Sequence, residues 1–279
     1  MAGMLYLCAT PIGNLEDITL RVIRTLKEVD LIACEDTRNS VKLFHHYDIE
    51  TPYTSYHEHN KFDKGKVLIN MLLEGKDIAV VTDAGTPAIS DPGEELVRMC
   101  SEEGIKVTSL PGASAFVTAL TLSGISADRF AFEGFIPTDN KKRKKRMESI
   151  KEDTRTLLFY EAPHRLKQTL KVLMEYLGDR DVSIVREITK RYETVFHTTI
   201  AAAIEYYKDN EPRGEYVLVV KGKDELEIEE ENKEKWQTIS LDEHMEIYLS
   251  KGLDKKEAMK AVAKDRGKTK REIYKELLG

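Results

Sequence analysis

Cysteine is scarce in this 279-residue chain, with three residues in all. Cys8, Cys34 and Cys100 show neither CxxC nor Cys/His metal-ligand spacing, and each sits in an apolar segment. A disulfide framework is excluded, and the three read as small buried hydrophobes in a reducing compartment. No apolar stretch approaches the ~20 residues that cross a bilayer. The first residues lack a basic region followed by an apolar run and a small-residue cleavage site. The expectation is a soluble, cytoplasmic protein. No GxxxxGK[ST] loop occurs, no GxGxxG follows the first strand, and GxSxG and HExxH are missing. These absences exclude P-loop nucleotidases, ordinary dinucleotide-binding dehydrogenases, α/β-hydrolases and zinc peptidases. His45, His46, His57 and His59 do not have zinc spacing and read as loop or surface residues, so no metal is expected. Global positive charge is lacking too: 43 basic against 49 acidic residues give a net charge of −6. Any nucleic-acid contact must therefore rest on local basic patches.

What is present alternates in period. Short apolar runs at Met4–Cys8, Leu31–Cys34, Ile78–Val81 and Ile105–Leu110 read as buried strands. Helical periods lie between them, the first carrying Ile18, Val22, Leu26 and Val29 with Asp17 as N-cap. Alternation of this kind predicts a largely parallel α/β sheet over residues 1–118. A second α/β unit, expected over 119–223, has strands at Thr156–Tyr160, Val182–Val185 and Tyr216–Val220. Its helices run through Leu166–Leu177 and Ile200–Tyr207, and its sheet is expected to be mixed. Residues 224–239, strongly acidic to about 234, read as a solvated linker, and 240–279 as a small helical domain.

Ligands of open α/β sheets bind beyond the carboxyl ends of the strands. Four loops at such positions combine Gly or Pro with small hydroxyl residues: Thr10–Asn14, Glu35–Arg38, Asp83–Pro92 and Pro111–Ser114. Any one alone is ordinary turn chemistry. The segment Thr82–Pro92, with two aspartates, turn-forming residues and two prolines in eleven positions, is more constrained than a connector needs.

The segments ATPIGNL (9–15), EDTR (35–38), DAGTPAISDPG (83–93) and PGAS (111–114) resemble the tetrapyrrole methylase superfamily. Adding EGFIP (133–137), YEAPHR (160–165) and REITK (186–190), the chain is similar to the ribosomal RNA small subunit methyltransferase I family over roughly residues 4–222, and its tail resembles that family's helical appendage. Seven motifs in order are specific where one would be weak. Two positions depart from the pattern: Thr82 replaces an expected serine and keeps its hydroxyl, whereas Ala162 replaces a common serine and loses it.

The resemblance implies two α/β domains enclosing a cleft for S-adenosylmethionine, and a homodimer. Carried over by position, Thr10, Pro11 and Gly13 line one wall of the cleft. Asp83, Ala84, Gly85 and Thr86 hold the methionine and ribose portions, and Ala113, Ser114 and Ala115 approach the other side. Tyr160, Glu161, Gly214 and Glu215 contribute from the second domain, although Gly214 reads equally as a plain turn. The implied reaction is methyl transfer to the ribose 2′-hydroxyl of a decoding-region cytidine in 16S ribosomal RNA. A hydroxyl is a poor nucleophile at neutral pH and needs alignment and proton removal. Glu35, Asp36, Glu187 and Lys190 are the candidates for that work, the alternative being salt bridges that brace the domains.

RNA contact has its own candidates. Lys141, Lys142, Arg143, Lys144, Lys145 and Arg146 are six consecutive basic residues in an acidic chain, unbalanced locally. Arg38, His164, Arg165, Arg186 and Arg191 lie near the expected cleft, and the basic tail from Lys251 fits either a helix-turn-helix-like RNA contact or a solvated bundle. Two other readings compete. A tetrapyrrole methyltransferase shares fold and cofactor but needs an apolar macrocycle pocket without a basic rim, and a non-catalytic RNA-binding assembly factor needs no turnover.

Overall fold

The structure is a computed structural model describing residues 2–278, the side chains at 229, 232–235, 237 and 278 excepted. Met1 and Gly279, the outermost residues of the expected first and last units, lie outside the described residues. The first half runs β1 (Met4–Cys8), α1 (Leu20–Glu28), β2 (Leu31–Cys34), α2 (Thr37–His46), β3 (Tyr53–Ser55), α3 (Lys61–Leu73), β4 (Ile78–Val81), α4 (Gly93–Glu102), β5 (Lys106–Leu110). Its strands form one parallel sheet in the order β3-β2-β4-β1-β5. β4 is buried along its whole length, as strands covered on both faces must be. Its alternate residues serve two cores. Ala79 and Val81 meet Val22 and Leu26 of α1 and Phe44 of α2. Ile78 and Val80 meet Leu68 and Leu72 of α3 and Leu96 of α4. Each buried Val, Leu, Ile or Phe among them stabilises by up to about 1.5–3 kcal/mol. The three cysteines lie in these cores. Burial pushes the Cys8 thiol up to about 12, and those of Cys34 and Cys100 to about 11.

The second half contains α5 (Ala115–Ser123), β6 (Phe130–Phe135), α6 (Asn140–Ile150), β7 (Thr156–Glu161), α7 (Pro163–Leu177), β8 (Asp181–Arg186), β9 (Thr194–Thr199), α8 (Ile200–Asp209) and β10 (Tyr216–Val220). The sheet order is β6-β7-β10-β8-β9, with β6 parallel to β7 and every other pair antiparallel. Helices α6, α7 and α8 cover one face. The other face receives Ala119 and Leu120 of α5 and, from the first-domain loop after β1, Ile12. The sequence boundary at 118/119 thus falls inside a helix that packs on the second sheet. Among the described residues, no helix is long and apolar enough to cross a membrane.

Two expectations are corrected. Asp17 does not cap the first helix. Asn14 accepts from the Glu16 amide and starts a short 3-10 turn, Leu15–Asp17, so α1 begins later, where Thr19 Oγ1 accepts from Val22 N at 3.2 Å. Residues 224–239 are not a linker throughout, because Glu225–Gln237 form helix α9. Asp224 Oδ1 accepts from the Leu226 amide, acidic residues in the first turn suit the helix dipole, and Trp236 stacks on His244 at 4.0 Å. After α9 come α10 (Leu241–Ser250), α11 (Lys255–Asp265) and α12 (Lys270–Leu278), which share a separate small core around Met245, Met259 and Val262.

Candidate active site

The strand order puts β2, β4, β1 and β5 side by side, so the four loops leaving their carboxyl ends meet along one rim. Thr10 and Gly85 exchange backbone hydrogen bonds at 2.9 and 3.0 Å, and the buried Thr10 hydroxyl donates to Thr82 O at 3.1 Å. Thr86 Oγ1 donates to Ala113 O at 3.1 Å, tying the third loop to the fourth. Gly85 has φ +85°, and a Cβ there would lie 3.3 Å from Ile12 Cγ2 and 3.5 Å from Ala113 O. Glycine is what lets these loops converge.

The constraint seen in 82–92 has a physical form. Ala88 and Ser90 hold left-handed φ values of 68° and 67°, a strain of order 1–3 kcal/mol each. Asp91 offsets it: its carboxylate accepts from Ala88 N, Ile89 N and Gly93 N at 2.8–3.1 Å. At the head of the loop, Thr82 Oγ1 donates to Glu35 Oε2 at 2.5 Å, Asp83 N donates to the same oxygen at 3.3 Å, and Asp83 accepts from Asp36 N and Asn39 Nδ2. Burial raises the Asp83 carboxyl, the Asn39 amide works against it, and Glu35 adds repulsion. Asp36 caps α2 through the Arg38 amide and pairs with the Arg38 guanidinium at 2.6 Å, which holds its carboxyl near 2.

The facing wall comes from the second domain. Lys190 Nζ lies 3.0 Å from Glu187 Oε1 and 2.7 Å from Glu215 Oε2, and Glu187 Oε1 also accepts from Glu215 N at 2.9 Å. Burial alone lowers the Lys190 ammonium; the two carboxylates outweigh it and raise it. For Glu187, burial is outweighed by the Glu215 amide and Lys190, and its carboxyl is lowered. Gly214 has φ +79°, and a Cβ would strike Glu187 Cγ at 2.5 Å. A Cβ on Gly13 would meet Lys190 Cγ at 2.5 Å, so the first-domain loop rests directly on this cluster.

Between the walls lies a cavity of about 480 Å³, within the range of small-molecule sites. Of the expected cofactor contacts, Ala84, Gly85, Thr86, Ser114, Ala115, Tyr160, Glu161 and Glu215 line it. Thr10, Pro11, Gly13, Asp83, Ala113 and Gly214 do not line it, and Thr10, Gly13, Asp83, Ala113 and Gly214 act on neighbouring loops through the contacts given above. Among the four reaction candidates only Lys190 lines the cavity, while Glu35, Asp36 and Glu187 hold neighbouring loops. Glu161 is fully buried and committed to the start of α7, accepting from Ala162 N at 2.9 Å and from the Thr169 hydroxyl, with Arg165 Nε 3.4 Å away. Ile12, Ile89, Phe135 and Ile188 line the cavity as well. Sequence reasoning singled out none of them as contacts, since an apolar residue in a loop carries no chemical signature. The residues present fit a small cofactor held by backbone and small side chains, with apolar surface and one ammonium within reach.

The basic run occupies α6, whose N-cap Asp139 accepts from the Lys142 amide. Arg146 pairs with Glu133 at 2.8 Å and Arg143 donates to Asn140, whereas Lys141, Lys142, Lys144 and Lys145 are exposed without an ion pair among the described residues. His164 lines the cavity, Arg38 is exposed, and Arg191 is exposed over the Tyr192 ring. Arg165 and Arg186 are half-buried: Arg165 donates to Ile136 O, and Arg186 Nε has no partner among the described residues.

Residues 4–204 match the family model described as Tetrapyrrole (Corrin/Porphyrin) Methylases. The chain is 51% identical over 272 residues to a ribosomal RNA small subunit methyltransferase I of Bacillus subtilis, covering 98% of this chain and 93% of that one. A protein of the same name from Thermotoga maritima is 44% identical over 222 residues, which is all of that chain and 80% of this one. Among solved structures, a diphthine synthase aligns with TM-score 0.61 at 13% identity, over 79% of this chain and 90% of that one. A uroporphyrin-III-C-methyltransferase from Thermus thermophilus aligns with TM-score 0.56 at 18% identity, over 78% and 94%. At such identities the structural matches establish the fold alone.

Proposed function

The chain belongs to the ribosomal RNA small subunit methyltransferase I family, and from that premise we propose that it transfers a methyl group from S-adenosylmethionine to the ribose 2′-hydroxyl of a decoding-region cytidine in 16S ribosomal RNA. The observation carrying this reading is one cavity built by both domains, with the Lys190 cluster on its wall and the cationic face of α6 on the domain that supplies that wall. S-adenosylmethionine supplies an activated sulfonium methyl, for which no metal is needed. Ala84, Gly85, Thr86, Ser114 and Ala115 would hold it, and Tyr160 would close the second-domain side.

The protein's own work is alignment and proton handling. Lys190 is held charged by Glu215 and Glu187, so it acts as a hydrogen-bond donor that orients a substrate oxygen and does not act as a base. Alanine at Glu35, Asp36, Glu187 and Lys190 tests the four candidates: turnover should fall most at Lys190 with near-normal cofactor affinity, and equal activity in all four variants removes the assignment. The tetrapyrrole reading is the weaker one, because the 13–18% identical structural matches speak only for fold. We place the protein on the small ribosomal subunit, in the cytoplasm and as a homodimer. The deciding experiment is transfer of labelled methyl to small subunits lacking the modification, followed by nucleoside analysis. Label in 2′-O-methylcytidine is the expected result. Cofactor binding without RNA product redirects the search to tetrapyrroles, and no cofactor binding overturns the reading of the cavity.

A further inference from the structure

An aromatic series crosses the second domain toward the cavity. Phe116 stacks on Phe132 with centroids 4.6 Å apart, Phe132 meets Tyr160 edge-on at 4.8 Å, and Phe135 meets Tyr160 at 5.7 Å. The first three rings are partly buried, but Phe135 is 52% exposed while lining the cavity. An exposed phenylalanine costs solubility, so its placement needs a cause.

The cause is a bulge in β6. Facing residues of paired strands share a sheet face: Ala131 opposes Leu157 on the helix-covered core side, and Phe132 opposes Leu158 on the cavity side. Regular alternation would return residue 135 to the core side. Instead the register shifts between Phe132 and Gly134, so Gly134 opposes Phe159 and Phe135 opposes Tyr160 on the cavity side. Bulges near active sites re-aim side chains in this way. Gly134 takes φ +64° to allow it. Glu133, the extra residue, is fixed by Arg146 of α6, whose Nη1 lies 2.8 Å from Glu133 Oε2. One bulge therefore aims a bare aromatic ring at the cavity and anchors the cationic helix beside it.

Resting on the methyl-transfer reading above, we propose that Phe135 is a substrate-positioning residue: the base of the target nucleotide, unstacked from its RNA neighbours, stacks on the Phe135 ring. The ribose attached to that base then hangs into the cavity toward Lys190, while the exposed lysines of α6 meet flanking phosphates. Extruding a nucleotide from its stack is an established way for enzymes to bring a base into a pocket, and aromatic side chains hold single-stranded bases with little regard to sequence. Ile89, from the strained first-domain loop, lines the same cavity and supplies an apolar surface from the other domain.

The test uses the full chain with small ribosomal subunits that lack the modification, measuring KM for the subunits, kcat, cofactor affinity and thermal stability. Phe135→Ala and Phe135→Leu should raise the RNA KM roughly 5- to 150-fold, the range of losing one base–aromatic stack. Phe135→Trp should restore most of it, with cofactor affinity within about two-fold of wild type throughout. Leucine as effective as phenylalanine would overturn the proposal, since bulk alone would then suffice. A matching loss of cofactor affinity would also overturn it by making Phe135 a wall of the cofactor site. Wild-type protein that methylates no RNA removes the underlying reading itself, and is distinguished by that wild-type control.

Discussion

Replacing Gly214 by alanine separates a plain turn from a structural hinge of the site. The backbone there has φ +79°, and the added methyl carbon would lie 2.5 Å from Glu187 Cγ and 2.6 Å from its Cδ and Oε1. Left-handed backbone costs a non-glycine residue roughly 1–2 kcal/mol. Glu187 must also move, and its Oε1 holds the Glu215 amide at 2.9 Å and the Lys190 ammonium at 3.0 Å. Hydrogen bonds to charged groups contribute about 1.5–3 kcal/mol each, so displacing the carboxylate brings the total to about 2.5–5 kcal/mol if one is lost outright. For a body of this size that is a fall in Tm of roughly 5–20 °C. Chemical denaturation of Gly214→Ala, of Glu187→Ala and of the double variant gives the assay. In the Glu187→Ala background the glycine substitution should cost only its backbone share, about 1–2 kcal/mol. Equal cost in both backgrounds would refute the claim that close approach to Glu187 is what requires glycine.

Asp83→Asn should raise stability near neutral pH and weaken cofactor binding, the two moving in opposite directions. The sign follows from a carboxyl raised in the folded state, which is destabilising when ionised and recovers stability as pH falls through its folded pKa; thermal melts from pH 4 to 8 show it, and a drop in stability at pH 7 would contradict it. For Glu187, whose folded carboxyl is lowered, stability is present above the ordinary carboxylate range and lost as pH falls through the folded value; Glu187→Gln should flatten that acid limb, and an unchanged limb counts against the cluster. Changing Lys141, Lys142, Lys144 and Lys145 to serine should leave the fold intact, weaken RNA binding and reduce the salt slope by about 0.7 per lost phosphate contact; a slope like wild type would remove α6 from the interface. Ending the chain after residue 223 should leave the Tm of the two-domain body and its cofactor affinity nearly unchanged, because the tail helices have their own core; loss of cofactor binding would show that the tail supports the site.

The alternating pattern was legible because buried parallel strands and amphipathic helices are written in hydrophobic period. β1, β2, β4 and β5 sit where their apolar runs predict. The elements that the hydrophobic pattern leaves unmarked have weak period. Helix α2 buries only Ser40, Leu43 and Phe44, and its N-cap is Asp36, a residue read for its chemistry. Strand β9 lies at a sheet edge with no fully buried residue, so alternation there is shallow. Helix α6 reads in the sequence as a run of charge, and its two buried positions, Met147 and Ile150, are too few to announce a helix.

The candidate site was legible as motifs but not as geometry, and the difference lies in strain. Among the described residues, five non-glycine residues have positive φ; four of them, Ala88, Ser90, Glu187 and Thr189, belong to the two loops that face each other across the cavity. None of these four is an Asn or Asp whose side chain eases the left-handed region, so local preference opposes each of the four. Such conformations persist only where surrounding contacts over-determine them. Asp91 does this on the first domain with three amide contacts, and the Glu215 amide, just before β10, does it on the second through the Glu187 carboxylate. Strain on both rims, each fixed by a carboxylate, makes the opening between them a shape the fold maintains against local preference. A site maintained in that way is prepared for a substrate before the substrate arrives, and the rigid rims leave Lys190 and Phe135 as the groups that present charge and aromatic surface to it.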